Sequence, residues 1–229
     1  MKLKAAISFL LAAALLSGCS ADTETSSGNF FNSSTHEHSN SSDPEYNVTY
    51  NYVSADYPAY KNAEELITSA DMVLIGKVTG LSFQMLDSAT GLPPTEKTEE
   101  RHKELCTIYT VEVITPYKGV ASKAINIRVR GGLKDAYTEQ QLQALGEKAS
   151  DGITVAEETP EIEIGETYLF SLRVFEGTDP CIMNPDQSVI NLRESLAKDV
   201  YGYISAKDII SYFGEDKWSA FRSADFEAE

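Results

Sequence analysis

The sequence predicts a mainly β protein of the α+β class, built as a small five-stranded closed barrel with short flanking helices. Three observations support this prediction. Residues 105–130 hold two runs of alternating apolar and polar side chains, separated by a break at residues 116–119. Such alternation gives a strand one buried and one wet face. Residues 71–78 form a continuous apolar run of strand length that contains Gly76. A helical pattern at residues 138–145 separates the third and fourth strands.

The chain begins with a secretory signal. Lys2 and Lys4 precede an apolar run at residues 5–16, which is too short to span a bilayer comfortably. The run ends in Leu16-Ser17-Gly18-Cys19, which resembles the lipobox of bacterial lipoproteins. The resemblance implies cleavage after residue 18 and a diacylglyceryl group on the Cys19 sulfur. The alternative is an ordinary signal whose end happens to contain a cysteine.

Residues 19–44 are predicted to be a lipidated flexible tether. Ser, Thr, Asn, Asp, Glu and Gly dominate this segment, so it offers too little apolar area to offset the entropy cost of folding. His36 and His38 could suggest a metal site, but without further ligands nearby they are interpreted as solvated tether residues. Residues 45–229 then form a single barrel domain with a C-terminal helical segment.

The net charge of the chain limits the kinds of partner that it is expected to bind. The chain has 35 Asp and Glu against 19 Lys and Arg, a formal net charge of −16 at pH 7. A surface this acidic repels phosphate backbones, which argues against nucleic acid as a partner. We expect a protein or glycan partner at the cell surface.

The first element of the domain is rich in tyrosine. Tyr50 and Tyr52 belong to an alternating run at residues 46–52. The run is either a tyrosine surface for a sugar or peptide, or an edge strand laid on the core, which its regularity favours. A helix then begins at Asn62, whose cap is followed three residues later by Glu65.

The later elements follow in order. Gly76 within the first barrel strand predicts a bulge or bend of the kind that barrel closure requires. Thr138 and Ser205 are predicted to cap two further helices. The other predicted elements are an exposed loop at residues 88–104, a fourth strand at residues 167–174 and a fifth at residues 189–192.

Five strands, a bend in the first and a helix between the third and fourth fit a barrel of the oligonucleotide/oligosaccharide-binding (OB) type. Three segments, residues 69–78, 109–119 and 164–170, resemble in order and spacing the barrel of netrin-like domains, shared with tissue inhibitors of metalloproteinases. The similarity spans about residues 63–192. The chain lacks the disulfide cysteines of those inhibitors. Their free amino-terminal cysteine corresponds here to Cys19, which is expected to be lipidated, so inhibition by their mechanism is disfavoured.

No enzyme motif is present. The chain has no Gly-x-Ser-x-Gly, His-Glu-x-x-His or phosphate-binding glycine loop, and His102 lies in a charged loop. We therefore expect a non-catalytic binding or interaction module, without metal or cofactor, anchored by lipid on the extracytoplasmic face of a bacterial membrane. A netrin-type module resembling protease inhibitors is one alternative, and a cell-envelope enzyme is another.

The candidate ligand surface combines Tyr50 and Tyr52 with Arg128 and Arg130, which form the densest basic spot on the wet face of the central strands. The alternative, which we favour from the sequence, is that both arginines pair with glutamates on neighbouring strands.

Two cysteines remain once Cys19 is assigned to lipid. Cys106 and Cys181 form an even pair in a compartment where disulfides persist, so they are a candidate disulfide. The alternative is two separate buried thiols.

Overall fold

A computed structural model of the protein describes residues 48–120, 122–195 and 204–217, without the side chains of residues 194 and 195. The strands are β1 (Tyr50–Val53), β2 (Met72–Asp87), β3 (Lys103–Lys118), β4 (Ala124–Arg130), β5 (Ile153–Ala156), β6 (Thr167–Arg173), β7 (Cys181–Ile182) and β8 (Val189–Asn191). The helices are α1 (Ala63–Ser69), α2 (Thr138–Leu145), α3 (Pro185–Ser188), α4 (Leu192–Ser195) and α5 (Ala206–Tyr212), with 3-10 turns at Glu100–His102 and Gly146–Asp151.

Five strands form a closed ring. Their order is β2-β3-β4-β7-β6, and β6 pairs with β2 to close the barrel. The β4–β7 pair is parallel and the other ring pairs are antiparallel, so the sheet is mixed. The predicted mainly β, OB-like closed barrel with short helices is therefore confirmed.

The long strand β2 bends sharply around Gly76, as predicted. The β2–β3 register shifts between Val73 and Leu74, between Ile75 and Gly76, and between Val78 and Gly80. A Cβ atom on Gly76 would lie 2.3 Å from Val111 Cγ1 and 2.9 Å from the Glu112 carbonyl oxygen. The bend thus depends on a residue without a side chain, because the neighbouring strand approaches so closely.

Two apolar layers hold the barrel together. The interior is filled from inward-facing positions of the ring strands, including Leu74, Tyr109, Ile127 and Phe170, all fully buried. A second cluster lies outside the ring, where α1 and α5 pack on the opposite face of β2 and β6. Its members include Leu66, Ile67, Val73, Leu169 and Ile209. Because both faces of β2 and β6 are covered, their sequences are apolar at successive positions.

The chain segment before α1, residues 49–60, which we call the strap, crosses the outside of the barrel. Its β1 residues pair in parallel with β5 in a separate two-stranded sheet. Further along, the Gln187 amide accepts from Tyr60 N and donates to Tyr60 O, both at 2.8 Å. Asn184 Nδ2 donates to Pro58 O at 3.0 Å. The strap is therefore bound to segments a hundred or more residues away.

Two strand assignments differ from the prediction. Residues 189–191 form a strand, but β8 pairs only with β6 and lies outside the ring. The ring is closed instead by the two-residue strand β7. The sequence also gave no indication of β5, whose partner β1 lies about a hundred residues earlier.

Two of the three predicted helix caps are confirmed and one is wrong. Asn62 Oδ1 accepts from Glu65 N at 2.9 Å, and Ser205 forms a full capping box with Asp208, both as predicted. The capping box predicted at Thr138 is wrong. Tyr137 occupies the cap position with φ +52°, and Gln141 bonds to the preceding turn instead of the helix start.

Within the described parts of the chain, no helix combines the length and apolar character needed to cross a bilayer.

Candidate functional site

A groove lies on the outer face of β3, β4 and β7. Arg128 on β4 stands opposite Ile108 on β3 and opposite Cys181 on β7, so side chains of all three strands share this face. The groove encloses about 230 Å³. We call it the Arg128 groove, and its polar lining includes Tyr57, Asp87, Glu104, Cys106, Arg128, Arg130 and Cys181.

Arg128 is the central cation of the groove. Its side chain is half-buried and its guanidinium lies against the backbone of Gly91, where an added Cβ would be 2.1 Å from Nη1. Gly91 also has φ +73°, a backbone conformation that favours glycine. Both the close approach of Arg128 and the backbone conformation therefore require glycine at this position. Among the described residues the guanidinium has no ion-pair or hydrogen-bond partner, so its donors remain available to a ligand.

Arg130, two residues along the same face, is already paired. Its Nε donates to Glu104 Oε1 on β3, and this contact raises the pKa of the arginine. The expectation that both arginines pair with glutamates is thus correct for Arg130 and wrong for Arg128. The two arginines differ because the loop carrying Gly91 places backbone, and not a carboxylate, against Arg128.

The loop after β2 forms one wall. Asp87 Oδ1 accepts from Ala89 N at 2.9 Å and Oδ2 accepts from Thr98 Oγ1 at 2.9 Å. These bonds, the Ala89 one first, hold the pKa of Asp87 below its usual value. The Asp87 carbonyl also accepts from Gly91 N, which fixes the loop against Arg128. The wall is therefore rigidly tied to the strand end.

The strap forms the opposite wall through Ala55 and Tyr57. Burial raises the pKa of the Tyr57 hydroxyl, and the positive charge of Arg130 partly opposes this effect. The hydroxyl therefore stays protonated at neutral pH and can donate a hydrogen bond into the groove.

A second cavity, also about 230 Å³, adjoins the Arg128 groove across the Arg130–Glu104 pair. Its cations are Arg130, which it shares with the Arg128 groove, and Arg101, Lys103 and Lys148. Lys103 and Lys148 both pair with Glu100 and lower the pKa of its carboxyl group. Each cavity is smaller than a typical drug-sized site of about 300–1,000 Å³. A ligand of drug size would therefore extend beyond either cavity alone.

Cys106 and Cys181 both line the Arg128 groove as free thiols, so the candidate disulfide is not formed. Strand β4 lies between their strands, and two strand spacings amount to about 10 Å. That exceeds the roughly 4.4–6.8 Å between Cα atoms that a bridge requires. Burial raises the pKa of Cys106 to about 12, whereas Cys181 is partly exposed.

We expect the two thiols to react differently. At pH 8, iodoacetamide should modify Cys181 in the folded protein while Cys106 stays unmodified, because a buried thiol of pKa about 12 forms almost no thiolate. Mass spectrometry after denaturation without reductant should show both thiols free. A mass two hydrogens lower, with no thiol available, would establish the bridge instead.

The structure separates the other predicted ligand residues from the groove. Tyr50 and Tyr52 lie on β1, beside the turn that precedes α2, and neither lines the groove. The sequence therefore identified Arg128 and Arg130 as neighbours, and the two tyrosines grouped with them lie outside the Arg128 groove. It missed Tyr57 and Asp87 as site residues. The Asp-Ser-Ala-Thr-Gly series at residues 87–91 was an available turn signal for the latter.

Ser88 and His102 contact each other at the base of the loop formed by residues 88–102. Ser88 Oγ lies 3.3 Å from His102 Nδ1, and Ser88 N donates to His102 O at 2.7 Å. Both bonds close the base of the exposed loop, and no carboxylate among the described residues bonds to the imidazole. The described residues hold no group of three His, Cys, Asp or Glu side chains that could bind a metal ion. Cys19, His36 and His38 lie outside the described residues.

No protein-family model matches the chain. A search of curated proteins also finds no match.

Proposed function

We propose that this protein is a non-catalytic binding module, held by a lipid anchor on the extracytoplasmic face of a bacterial membrane, whose ligand site is the Arg128 groove. The observation that carries the proposal is the Arg128 guanidinium, fixed in a concave site without a protein partner among the described residues. In a chain of net charge −16, a half-buried arginine that has no partner within the described part of the chain favours a ligand that carries a carboxylate or phosphate group.

The place of the groove on the barrel supports the proposal. OB-type barrels bind their ligands on the face of their second and third strands, between the loop joining strands one and two and the loop joining strands four and five. The corresponding strands are β3 and β4, flanked here by residues 88–102 and 174–180. This is an analogy of fold, and the chemistry rests on Arg128 and Tyr57. The resemblance to netrin-like domains is part of the same proposal.

We expect Arg128 to be the arginine that ligand binding requires. A pull-down of surface proteins and cell-wall glycans with the domain from residue 44 onward should retain an acidic partner. Arg128→Ala should weaken its capture at least tenfold, because charge-assisted bonds contribute about 1.5–3 kcal/mol. Arg128→Lys should recover only part of the binding, since lysine cannot form two parallel bonds.

Arg193→Ala is the matched control. Arg193 is an exposed arginine paired with Glu166 away from the groove, so its removal should leave capture unchanged. Equal retention by wild type and Arg128→Ala would reject the groove as the ligand site. Steady turnover of a substrate that Arg128→Ala retains would place the activity elsewhere and favour the enzyme alternative.

The anchor has its own test. Cys19→Ala should abolish labelling by a radioactive or clickable fatty acid, and the protein should move from the membrane fraction to the soluble fraction. The physical reason is that the sulfur of Cys19 is the proposed attachment atom. Persistent lipid label in Cys19→Ala would refute the anchor without bearing on the groove.

A further inference from the structure

The turn at residues 133–137 carries unusual backbone strain. Asp135 and Tyr137 have φ values of +53° and +52°, and they are the only non-glycine residues with positive φ in the described part of the chain. Glycine, asparagine and aspartate adopt this conformation readily, so the cost in free energy falls on the bulky Tyr137. Strain of this kind persists only where surrounding contacts enforce it, and it often marks binding sites.

The surrounding contacts are specific. Gln141, fully buried, accepts from Leu133 N at 2.9 Å and donates to Leu133 O and Ala136 O at 2.8 and 2.6 Å. From the other side, Asp135 N donates to the Tyr50 hydroxyl at 3.1 Å. The turn is thus held in one conformation before any ligand arrives.

The rigid turn presents aromatic surface to solvent. Tyr137 is 43% exposed, and its ring is supported from below by Phe83, with ring centroids 6.1 Å apart. Lys134, in the same turn, places its ammonium group 5.9 Å from the ring centroid of Tyr52, which is 50% exposed. The Tyr52 hydroxyl beside that ammonium raises the pKa of Lys134. We call Tyr52, Phe83, Lys134, Asp135 and Tyr137 the tyrosine surface.

Packing does not account for Tyr137 at this position. Phe83 covers one side of the ring, but 43% of the residue still faces solvent, so the ring is not enclosed as a core aromatic would be. The strain instead has the effect of holding a flat ring outward at a fixed angle, as a preorganised binding surface requires.

We propose that the tyrosine surface is a second binding site, for a neutral carbohydrate. A pyranose ring has an apolar C–H face that can stack on tyrosine and a hydroxyl edge that can bond to the Lys134 ammonium and the Asp135 carboxylate. Tyrosine offers this combination of apolar area and hydrogen bonding at low entropic cost. The site is independent of the Arg128 groove and does not rest on the function proposed for it.

The size of the tyrosine surface favours a small ligand over a protein partner. A fully covered aromatic side chain contributes about 150–250 Å², so two tyrosines near half exposure offer roughly 200 Å². A stable interface buries about 800 Å² on each partner. Two half-exposed rings, one of them in contact with the Lys134 ammonium, offer contact area for one or two sugar units.

Calorimetric titration of the purified protein with chitohexaose, cellohexaose and mannohexaose tests the proposal. At least one hexaose should bind saturably, and Tyr137→Asn should weaken that binding about tenfold. Because asparagine adopts the left-handed backbone more readily, this variant should melt at the wild-type temperature or above it. A tyrosine with only a structural role would not produce a loss of binding without a loss of stability. Tyr52→Ala should also weaken binding about tenfold.

Tyr212→Ala is the matched control, since Tyr212 is 51% exposed on α5 and should not affect hexaose affinity. Arg128→Ala should likewise leave it unchanged. Failure of all three hexaoses to bind the wild type would overturn the proposal. Wild-type affinity in Tyr137→Asn would also overturn it, as would loss of affinity in Arg128→Ala alone.

Discussion

Replacing Gln141 by leucine is expected to lower the free energy of unfolding by about 3 kcal/mol. Leucine fills a similar volume, but it leaves Leu133 N, Leu133 O and Ala136 O without the partners that the amide supplies. A buried polar group without a partner costs about 1–3 kcal/mol, and part of this cost is relieved if the turn opens to water. Urea denaturation followed by circular dichroism measures the change.

Gln140→Leu serves as the control, because Gln140 is the exposed neighbour on the same helix. It should change stability by less than about 0.5 kcal/mol. The Gln141→Leu variant should also lose binding to any hexaose that the wild type retains, since the turn that carries Tyr137 would no longer be fixed. Equal stability of the two leucine variants would show that the amide does not hold the turn.

Gly76→Ala is expected to destabilise the barrel by about 2–3 kcal/mol. The new methyl group would meet Val111 and the Glu112 carbonyl group at distances shorter than contacts between real Cβ atoms allow. Strands β2 and β3 would have to separate at the bend, and overpacking of this kind costs about 1–3 kcal/mol. Thermal and urea unfolding of the variant should show the loss.

Gly80→Ala, four residues along the same strand, is an unusually close control. Nothing lies within 4 Å of a Cβ at this position, and its φ is not in the positive range. Alanine there should leave stability unchanged or raise it by up to about 1 kcal/mol, through a less flexible unfolded chain. If both alanine variants lost the same stability, strand propensity and not close approach would explain the effect.

The sequence predicts those parts of the barrel where one face of a strand is buried. Val111, Ile127 and Val129 alternate with polar residues because the interior covers only their face, and the alternation is visible in the sequence. The strand β7 escapes detection because two residues are too few for a pattern. The partner of β1 escapes because parallel pairing across a hundred residues leaves no local signal.

The candidate site likewise contains some residues that the sequence could place together and others that only the fold brings together. Arg128 and Arg130 are two apart on one strand, so their common face follows from the sequence. Tyr57 and Asp87 reach the same groove from separate segments, which only the tertiary fold brings together. Tyr137 opposes a local rule, since capping preferences predict Thr138 as the cap residue of α2, whereas Tyr137 occupies that position and the amide of Gln141 bonds to the preceding turn. Tertiary contacts override the local preference there.

The docking of the strap determines when the Arg128 groove comes into existence. Tyr60 bonds to Gln187, 127 residues further along the chain, so the strap cannot dock until the last third of the chain has emerged. Contacts this distant in sequence form slowly, because a long loop must close first. Tyr57 lies on the strap, so a chain still being synthesised or exported has strands but no complete groove. Binding competence would thus be acquired only after the strap has docked on the barrel.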